Sequence, residues 1–172
     1  ILMKILTLNL IQDIATPHNN LLIKELLKKN IKLKLWYSMY ENKKLYNWKK
    51  NITNEYQKSI IYSRKLNLRF LLKCLKNRNE KFILVGWMNI NTVLLHIFFL
   101  LFFQKFNHWT DLPREIEKHE RFSRLKRYVS YGFLRISRCK ILVVGEKAYK
   151  YFKLRNFPES KLVNIPVIIS VE

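Results

Sequence analysis

This chain has very little glycine, with 3 residues among 172. Loops that cradle phosphates need closely spaced glycines, and the sequence contains neither Gly-x-Gly-x-x-Gly nor Gly-Lys-Ser or Gly-Lys-Thr. It therefore gives no support to a nicotinamide-dependent enzyme or to a phosphate-loop ATPase. Internal repeats and low-complexity linkers are also lacking, and the length favours a single domain over residues 1–172.

Cysteine is equally sparse. Cys74 and Cys139 stand alone, without the paired spacing of a metal site, so we predict no metal and two reduced thiols of an intracellular protein.

The apolar run 93–103 is too short to span a membrane. No signal peptide is recognised at the first residues, which makes the cytoplasm the expected location.

Acidic residues are few as well. The chain has 12 Asp and Glu against 33 Lys and Arg, a formal net charge of +21. This balance predicts attraction to polyanions, among them nucleic acid, an anionic membrane surface and phosphorylated substrates. The composition is also rich in Lys, Asn, Ile and Phe, a bias that AT-rich coding DNA produces by itself. Charge alone therefore identifies no partner.

What the chain does contain is an alternation of strand and helix patterns. We predict strands at 5–10, 31–37, 59–63, 82–85, 105–109 and 140–144, and helices at 21–29, 66–75, 93–103, 114–138 and 146–154, with a short strand before Pro166. Strand–helix–strand units are right-handed and leave their strands parallel. The prediction is an α/β, Rossmann-like fold with a mostly parallel sheet flanked by helices on both faces.

Polar and aromatic residues follow three of the predicted strands. Trp87 and Asn89 come after the strand 82–85, Asp111 after the next strand, and Glu146 after the strand 140–144. Ligands of parallel sheets bind just beyond the carboxyl ends of the strands. We therefore expect Trp87, Asp111 and Glu146 to lie along one rim.

The predicted helix 114–138 is basic and carries apolar residues at steps of three and four. Five residues form this apolar stripe: Phe122, Leu125, Val129, Phe133 and Ile136. The stripe packs on the sheet with the cations in water, or it enters a membrane surface, and the two roles are compatible. In the helix 66–75 we expect Leu68 and Leu72 to be among the residues that face the sheet.

Three segments together carry a resemblance to an enzyme family. The first is MKILTLNL with its loop and LLIKELLKKNIKLKLWY, and the second is FILVGW followed by a helix and NHWTDLP. The third and most specific is CKILVVGEKAYKYFKLRNFPESKLVNIP, which contains Pro158, Lys161 and Pro166. The chain resembles the N-terminal domain of GT-B glycosyltransferases of the family 4 type, which build bacterial surface polysaccharides. It departs from them in the loop 15–20, which lacks the glycine pair often found there.

The resemblance implies the acceptor-side domain of an enzyme that transfers a sugar from a nucleotide-sugar donor to a growing, lipid-linked glycan. Asp111, with His108 second, is implied as the group that orients or deprotonates the acceptor hydroxyl. Glu146 and Lys147 are implied at the cleft edge. Acceptor contacts are implied for residues at strand ends and in the first loop: Trp87, Asn89, Trp109, Asn9, His18 and Asn19.

Enzymes of this family hold the nucleotide-sugar donor in a second, C-terminal domain, and no cofactor or metal is expected. That domain would begin where this sequence ends, at Glu172, so we expect an incomplete enzyme that is inactive alone. Family members often rest on the inner face of the membrane. Four arginines of the helix 114–138 are then expected to face anionic lipid: Arg121, Arg124, Arg127 and Arg135.

Structural roles compete with these interpretations. Asp111 also suits a helix cap, His108 a place in the core, and Trp87 and Trp109 positions under a helix. The alternative function is a basic nucleic-acid-binding module, which the net charge and the Tyr and Trp residues of 40–56 suggest.

Overall fold

In the computed structural model, the described residues are 6–12, 23, 25–29, 31–37, 59–61, 68–86, 90–113 and 121–166. The strands are β1 (Thr7–Gln12), β2 (Lys32–Tyr37), β3 (Ser59–Ile61), β4 (Lys81–Val85), β5 (Asn107–Thr110), β6 (Lys140–Val144) and β7 (Leu162–Ile165). The helices are α1 (Leu68–Lys76), α2 (Ile90–Leu101), α3 (Arg121–Ile136) and α4 (Gly145–Lys153), with a 3-10 turn at Glu159–Lys161. Positions 25–28 are also helical. The predicted α/β, Rossmann-like fold is confirmed.

The chain divides into two compact units at the middle of β4, where the first unit reaches Ile83 and the second begins at Leu84. Strand order is β3-β2-β1-β4 in the first unit and β4-β5-β6-β7 in the second. The pairs β1–β2, β2–β3, β5–β6 and β6–β7 are all parallel. The prediction of one domain over 1–172 stays a prediction.

In the first unit, the apolar residues of β1 and β2 form the core together with residues from two helical segments. Leu10, Leu35 and Ile23 are buried, and α1 contributes Phe70 and Cys74. The expectation for Leu68 and Leu72 is wrong, because these side chains are 70% and 54% exposed. Phe70 and Cys74 lie four positions apart and therefore share the inner face of α1.

The core of the second unit is rich in aromatic contacts. Phe99 of α2 lies 5.5 Å from Phe106, measured between ring centroids. Tyr131 of α3, Phe152 of α4 and Phe157 form a second group, with centroid distances of 5.7, 5.3 and 5.2 Å between the three pairs. Edge-on and tilted ring contacts of this kind stabilise the packing of these helices against one another and against the segments that follow them.

The predicted apolar stripe of the helix 114–138 does not form the packed face of α3. Leu125 and Ile136 are 60% and 68% exposed, whereas Ser130 and Leu134 are buried, as is Ser137 directly after the helix. Burial of the two serines is possible because each hydroxyl donates a hydrogen bond to a carbonyl of the helix itself. Apolar spacing alone therefore indicated the wrong side of the helix.

Lys161 closes the end of α3. Its ammonium donates hydrogen bonds to the backbone carbonyl oxygens of Leu134, at 3.2 Å, and of Arg135 and Ser137. The last carbonyls of a helix lack partners within the helix and carry partial negative charge, so the half-buried ammonium of Lys161 stabilises them. This contact gives a structural role to the lysine of the Pro-x-x-Lys turn.

In the part of the chain that the structure describes, no helix is both long and apolar enough to cross a membrane.

Candidate functional site

The carboxyl ends of β4, β5, β6 and β7 meet at one edge of the second unit. The amide of Gly86, directly after β4, donates to the carbonyl of Trp109 on β5 at 2.8 Å. In β6, Val143 pairs with Thr110 on one side and with Asn164 of β7 on the other. The predicted rim is therefore confirmed for the segments before Asp111 and Glu146, which lie side by side and parallel. Trp87 and Asn89 lie outside the described residues.

Asp111 is the first residue beyond β5 at this edge, and it is exposed. The preceding residue, Thr110, has a buried side chain whose hydroxyl donates to the carbonyl oxygen of Asp111 at 3.0 Å. This contact ties the backbone of Asp111 to the end of the strand. The carboxylate of Asp111 is thus fixed at its base and exposed at the edge.

Glu146 occupies the first turn of α4, directly after β6. The side-chain amide of Asn164 donates to its carboxylate at 3.2 Å, and the ammonium of Lys150 lies 3.6 Å from its other oxygen. The carboxylate also lies near the positive end of the helix dipole. The neighbouring Lys147 is exposed. The Glu146–Asn164 pair joins two strand ends at the edge.

Asn164 is a site residue that the sequence interpretation missed. The sequence placed it in a short closing strand, where its side chain had no evident role. Its position became apparent through the register, in which Asn164 pairs with Val143, three residues before Glu146. Strand spacing of about 4.8 Å brings such residues within hydrogen-bonding range of one small ligand.

Two glycines end the strands at this edge with backbone conformations that other residues seldom adopt. The φ angle is 76° at Gly86 and 79° at Gly145. Glycine reaches this left-handed region without the steric cost of a Cβ atom. The chain can therefore turn sharply at Gly86 after β4 and at Gly145 after β6.

His108 lies in the interior rather than at the edge. It is fully buried on β5, and its Nδ1 atom lies 3.0 Å from Nε2 of the buried His96 on α2, a distance at which one ring donates a hydrogen bond to the other. Burial, and then the nearby His96, hold the pKa of His108 well below its ordinary value. The imidazole is therefore neutral near pH 7 and shielded from an acceptor at the edge.

Asn9 also lies in the interior, in the first unit. Its fully buried amide donates to the carboxylate of Glu80 at 2.6 Å and to the carbonyl of Lys81 at 3.4 Å, and its oxygen accepts from the indole of Trp36 at 3.0 Å. Lys34 also donates to Glu80, at 2.5 Å. Partial burial acts to raise the pKa of Glu80, but the hydrogen bonds from Asn9 and Lys34 outweigh it and lower that pKa.

The arginines expected to face lipid differ in their surroundings. Arg124 is exposed and Arg127 is half-buried, whereas the side chain of Arg121 lies outside the description. Arg135 donates to the carbonyl of Arg155 at 2.6 Å, and its guanidinium lies 4.8 Å from the ring centroid of Phe157. Of this set, Arg135 is engaged in packing. His18 and Asn19 also lie outside the described residues.

Both cysteines are buried. Burial raises the pKa of the Cys74 thiol to about 12 and raises that of Cys139 as well, so both remain protonated near pH 7. Within the described ranges, no group of three or more His, Cys, Asp or Glu is placed to hold a metal ion.

Comparison of the chain with protein-family models, with curated proteins and with solved structures finds no match. An assignment of function therefore depends on the geometry of the edge around Asp111, Glu146 and Asn164.

Proposed function

We propose that this chain is the acceptor-side part of a glycosyltransferase, which holds a hydroxyl of a growing glycan for transfer from a nucleotide-sugar donor. The observation that supports this proposal is the placement of Asp111, Glu146 and Asn164 at the carboxyl ends of three adjacent strands. Parallel sheets bind their ligands at this edge. The resemblance of three sequence segments to family 4 glycosyltransferases favours the same function.

The groups at this edge suit a ligand rich in hydroxyls. Ionised carboxylates accept hydrogen bonds from hydroxyl groups, and an amide both donates and accepts them. Asp111 is exposed and orients or deprotonates the acceptor hydroxyl. Glu146, held by the amide of Asn164, accepts from a second hydroxyl and fixes the orientation of the sugar.

The transfer step also needs a donor. In the family that the sequence resembles, the nucleotide-sugar is bound by a second domain, and the glycan acceptor is carried on a lipid. The step itself forms a bond between the acceptor oxygen and the sugar carbon, breaks the bond from that carbon to the nucleotide, and releases the hydroxyl proton. Asp111 is the proposed recipient of that proton, and the proposal needs no metal or cofactor.

The test is saturation-transfer NMR with the full chain and the methyl glycosides of glucose, galactose and N-acetylglucosamine. At least one glycoside should receive saturation, and Asp111→Asn and Glu146→Gln should each weaken its binding about tenfold or more, since hydrogen bonds to charged groups are the strong ones. Glu159→Gln is the matched control, because it removes an exposed carboxylate elsewhere in the second unit. Binding that is equal in all four proteins, or absent for every glycoside, would reject the proposal.

A further inference from the structure

The side of α3 opposite its buried side is apolar. Leu125, Val129 and Ile136 are exposed there, and Gly132 lies between the last two in the sequence. Together the four residues follow one another at steps of four, three and four, which places them on one face of a helix. We name this surface the outer face of α3. A single exposed apolar side chain is ordinary, but a continuous apolar row marks an interaction surface.

Other residues attach α3 to the second unit. Ser130, Tyr131 and Leu134 are buried. At 3.6 residues per turn, the direction of Leu134 lies about 180° from that of Leu125. The helix is therefore held by one side, and the outer face points into solvent.

Gly132 interrupts the outer face near its middle. Among the described residues, no atom lies within 4 Å of the position that a Cβ atom of Gly132 would take. Glycine inside a helix is less stable than alanine, and the packing of the described residues does not require it. Small residues on a helix surface let a second helix approach closely. Gly132 thus forms a notch between Val129 and Ile136 that a side chain from outside can enter.

Cations accompany the outer face. Arg124 and Lys126 lie on either side of Leu125, the first exposed and the second half-buried. The sequence of α3 contains no Asp or Glu. Two copies of α3 packed together would bring like charges close to each other, which is unfavourable. A helix that carries carboxylates beside its apolar residues would instead complement this charge.

We propose that the outer face of α3 binds an acidic amphipathic helix of another protein. The apolar residues of that helix pack along Leu125, Val129 and Ile136, and one large side chain fills the notch at Gly132. Its carboxylates lie near the cations that flank the apolar row. This proposal does not depend on what the edge around Asp111 binds.

The notch decides in favour of a helix over a lipid surface. A fluid bilayer is entered by apolar side chains that protrude, and a glycine contributes none. A partner helix is rigid, and packing between helices inserts a side chain of one into a recess of the other. Gly132 is suited to the second kind of partner.

The test is fluorescence anisotropy of labelled synthetic helices, of the length of α3, titrated with the full chain. Each peptide has leucine at the first and fourth positions of every heptad and glutamate beside them. One peptide carries tryptophan at its central apolar position, and the other carries alanine there. The tryptophan peptide should bind about tenfold or more tightly than the alanine peptide, because only the larger side chain fills the notch.

The variant Gly132→Leu tests the notch itself. Its leucine occupies the space that the tryptophan would enter, so the variant should bind the alanine peptide more tightly than the tryptophan peptide. It should also melt at no lower temperature than wild type, because leucine favours a helix more than glycine does. The added Cβ atom meets no atom of the described residues. A reversed preference in a folded protein therefore cannot arise from loss of the fold.

The apolar row is tested by Leu125→Ser with Ile136→Ser. This pair should weaken binding of the tryptophan peptide about tenfold or more, since it removes apolar surface that the partner covers. The matched control, Leu68→Ser with Leu72→Ser, changes two exposed leucines of α1 and should bind like wild type.

Charge is tested separately, with the same net charge in the test and control proteins. Arg124→Gln with Lys126→Gln should weaken binding of the tryptophan peptide by about threefold or more. The control, Lys29→Gln with Lys76→Gln, removes two exposed cations from the first unit and should have a much smaller effect. Circular dichroism checks that every variant is folded.

Several results would overturn the proposal. One is failure of the tryptophan peptide to bind, and another is equal binding of the two peptides by both wild type and Gly132→Leu, which would show that net charge alone attracts them. A third is binding to phosphatidylglycerol vesicles, without peptide binding, that requires Leu125 and Ile136. A fourth is a dimer, again without peptide binding, that Leu125→Ser with Ile136→Ser dissociates. None of these results bears on glycoside binding by Asp111.

Discussion

The two compact units each enclose a buried polar cluster, and the two clusters differ in charge. In the first unit, the amide of Asn9 is surrounded by the indole of Trp36 and the ionised carboxylate of Glu80. In the second unit, two buried imidazoles, His96 and His108, contact each other. The first cluster is stabilised by charge, and the second requires that charge be absent. Both clusters contain a residue that the sequence suggested for substrate contact, so a polar residue inside a strand is weak evidence for a site.

The largest expected effect comes from the cluster of the first unit. Asn9→Ala leaves the indole of Trp36 and the carboxylate of Glu80 without their amide partner, and should lower the free energy of unfolding by about 2–4 kcal/mol. Urea denaturation measures this change. Asn77→Ala is the control, because that amide donates to a helix carbonyl near the surface and its loss should cost less than about 1 kcal/mol. Equal losses of unfolding free energy in the two variants would show that the buried hydrogen bonds of Asn9 stabilise the protein no more than the exposed one of Asn77.

The histidine pair predicts a second, pH-dependent effect. The unfolded chain binds a proton at His108 near its ordinary pKa of 6.5, whereas in the folded protein that pKa is well below this value. This contribution to stability is therefore complete above pH 6.5 and is lost as the pH falls toward the folded-state pKa, by up to about 1.4 kcal/mol per pH unit. The double variant His96→Leu and His108→Leu should flatten the pH dependence of unfolding in that range.

Glu80 supplies the contrast within the same pH series. Its pKa is lowered from 4.5, so its contribution is present above that pH and is lost as the pH falls through the folded-state pKa. Glu80→Gln should therefore keep the loss of stability that begins at pH 6.5 and flatten the loss below pH 4.5. If the double histidine variant and Glu80→Gln flattened the same pH range of the stability curve, the attribution of the higher range to His108 and of the lower range to Glu80 would be wrong.

A smaller effect is expected at the end of α3, where a cation meets neutral carbonyls. Lys161→Met removes the donor to three backbone carbonyl oxygens and should destabilise the protein by about 1–2 kcal/mol. Thermal or urea unfolding measures the change. Lys153→Met is the matched control, since it breaks an exposed ion pair with Glu159, and such pairs contribute little. A control that lost as much stability as Lys161→Met would contradict the capping role.

The smallest effect on stability is expected at the carboxyl edge, which is the edge formed by the carboxyl ends of β5, β6 and β7. Asp111→Asn changes an exposed side chain and should alter the free energy of unfolding by no more than about 0.5 kcal/mol. The same variant should weaken glycoside binding about tenfold or more, because the carboxylate that it removes is the proposed hydrogen-bond acceptor for the sugar hydroxyl. A large loss of stability would instead indicate that Asp111 belongs to the fold.

Local patterns predicted most elements of the fold. The strand at 140–144 has the predicted bounds, and the predicted helix 93–103 is observed as α2 at Ile90–Leu101, two to three residues nearer the amino end of the chain. Apolar runs of this kind report element type because they reflect burial on a strand or a helix. The inner face of α3 was not predictable in this way, since Ser130 and Ser137 are buried only because their hydroxyls bond to helix carbonyls.

The roles that the sequence did not predict depend on contacts between residues that are distant in the chain. Asn9 and Glu80 are 71 positions apart, so nothing in the local sequence of β1 indicates that the amide of Asn9 has a charged partner. Asn164 became a neighbour of Glu146 only through the register of β6 and β7. By contrast, Asp111 and Glu146 were predictable as edge residues, because they follow strands whose parallel direction the helical connections imply.

The most direct test of the account maps the amide chemical shifts of the full chain during titration with the methyl glycoside that binds best. The account predicts shifts clustered at Gly86, Asp111, Gly145 and Asn164, and their loss in Asp111→Asn. Shifts centred on the interior residue Asn9, or no shifts at the carboxyl edge while the glycoside binds, would contradict it.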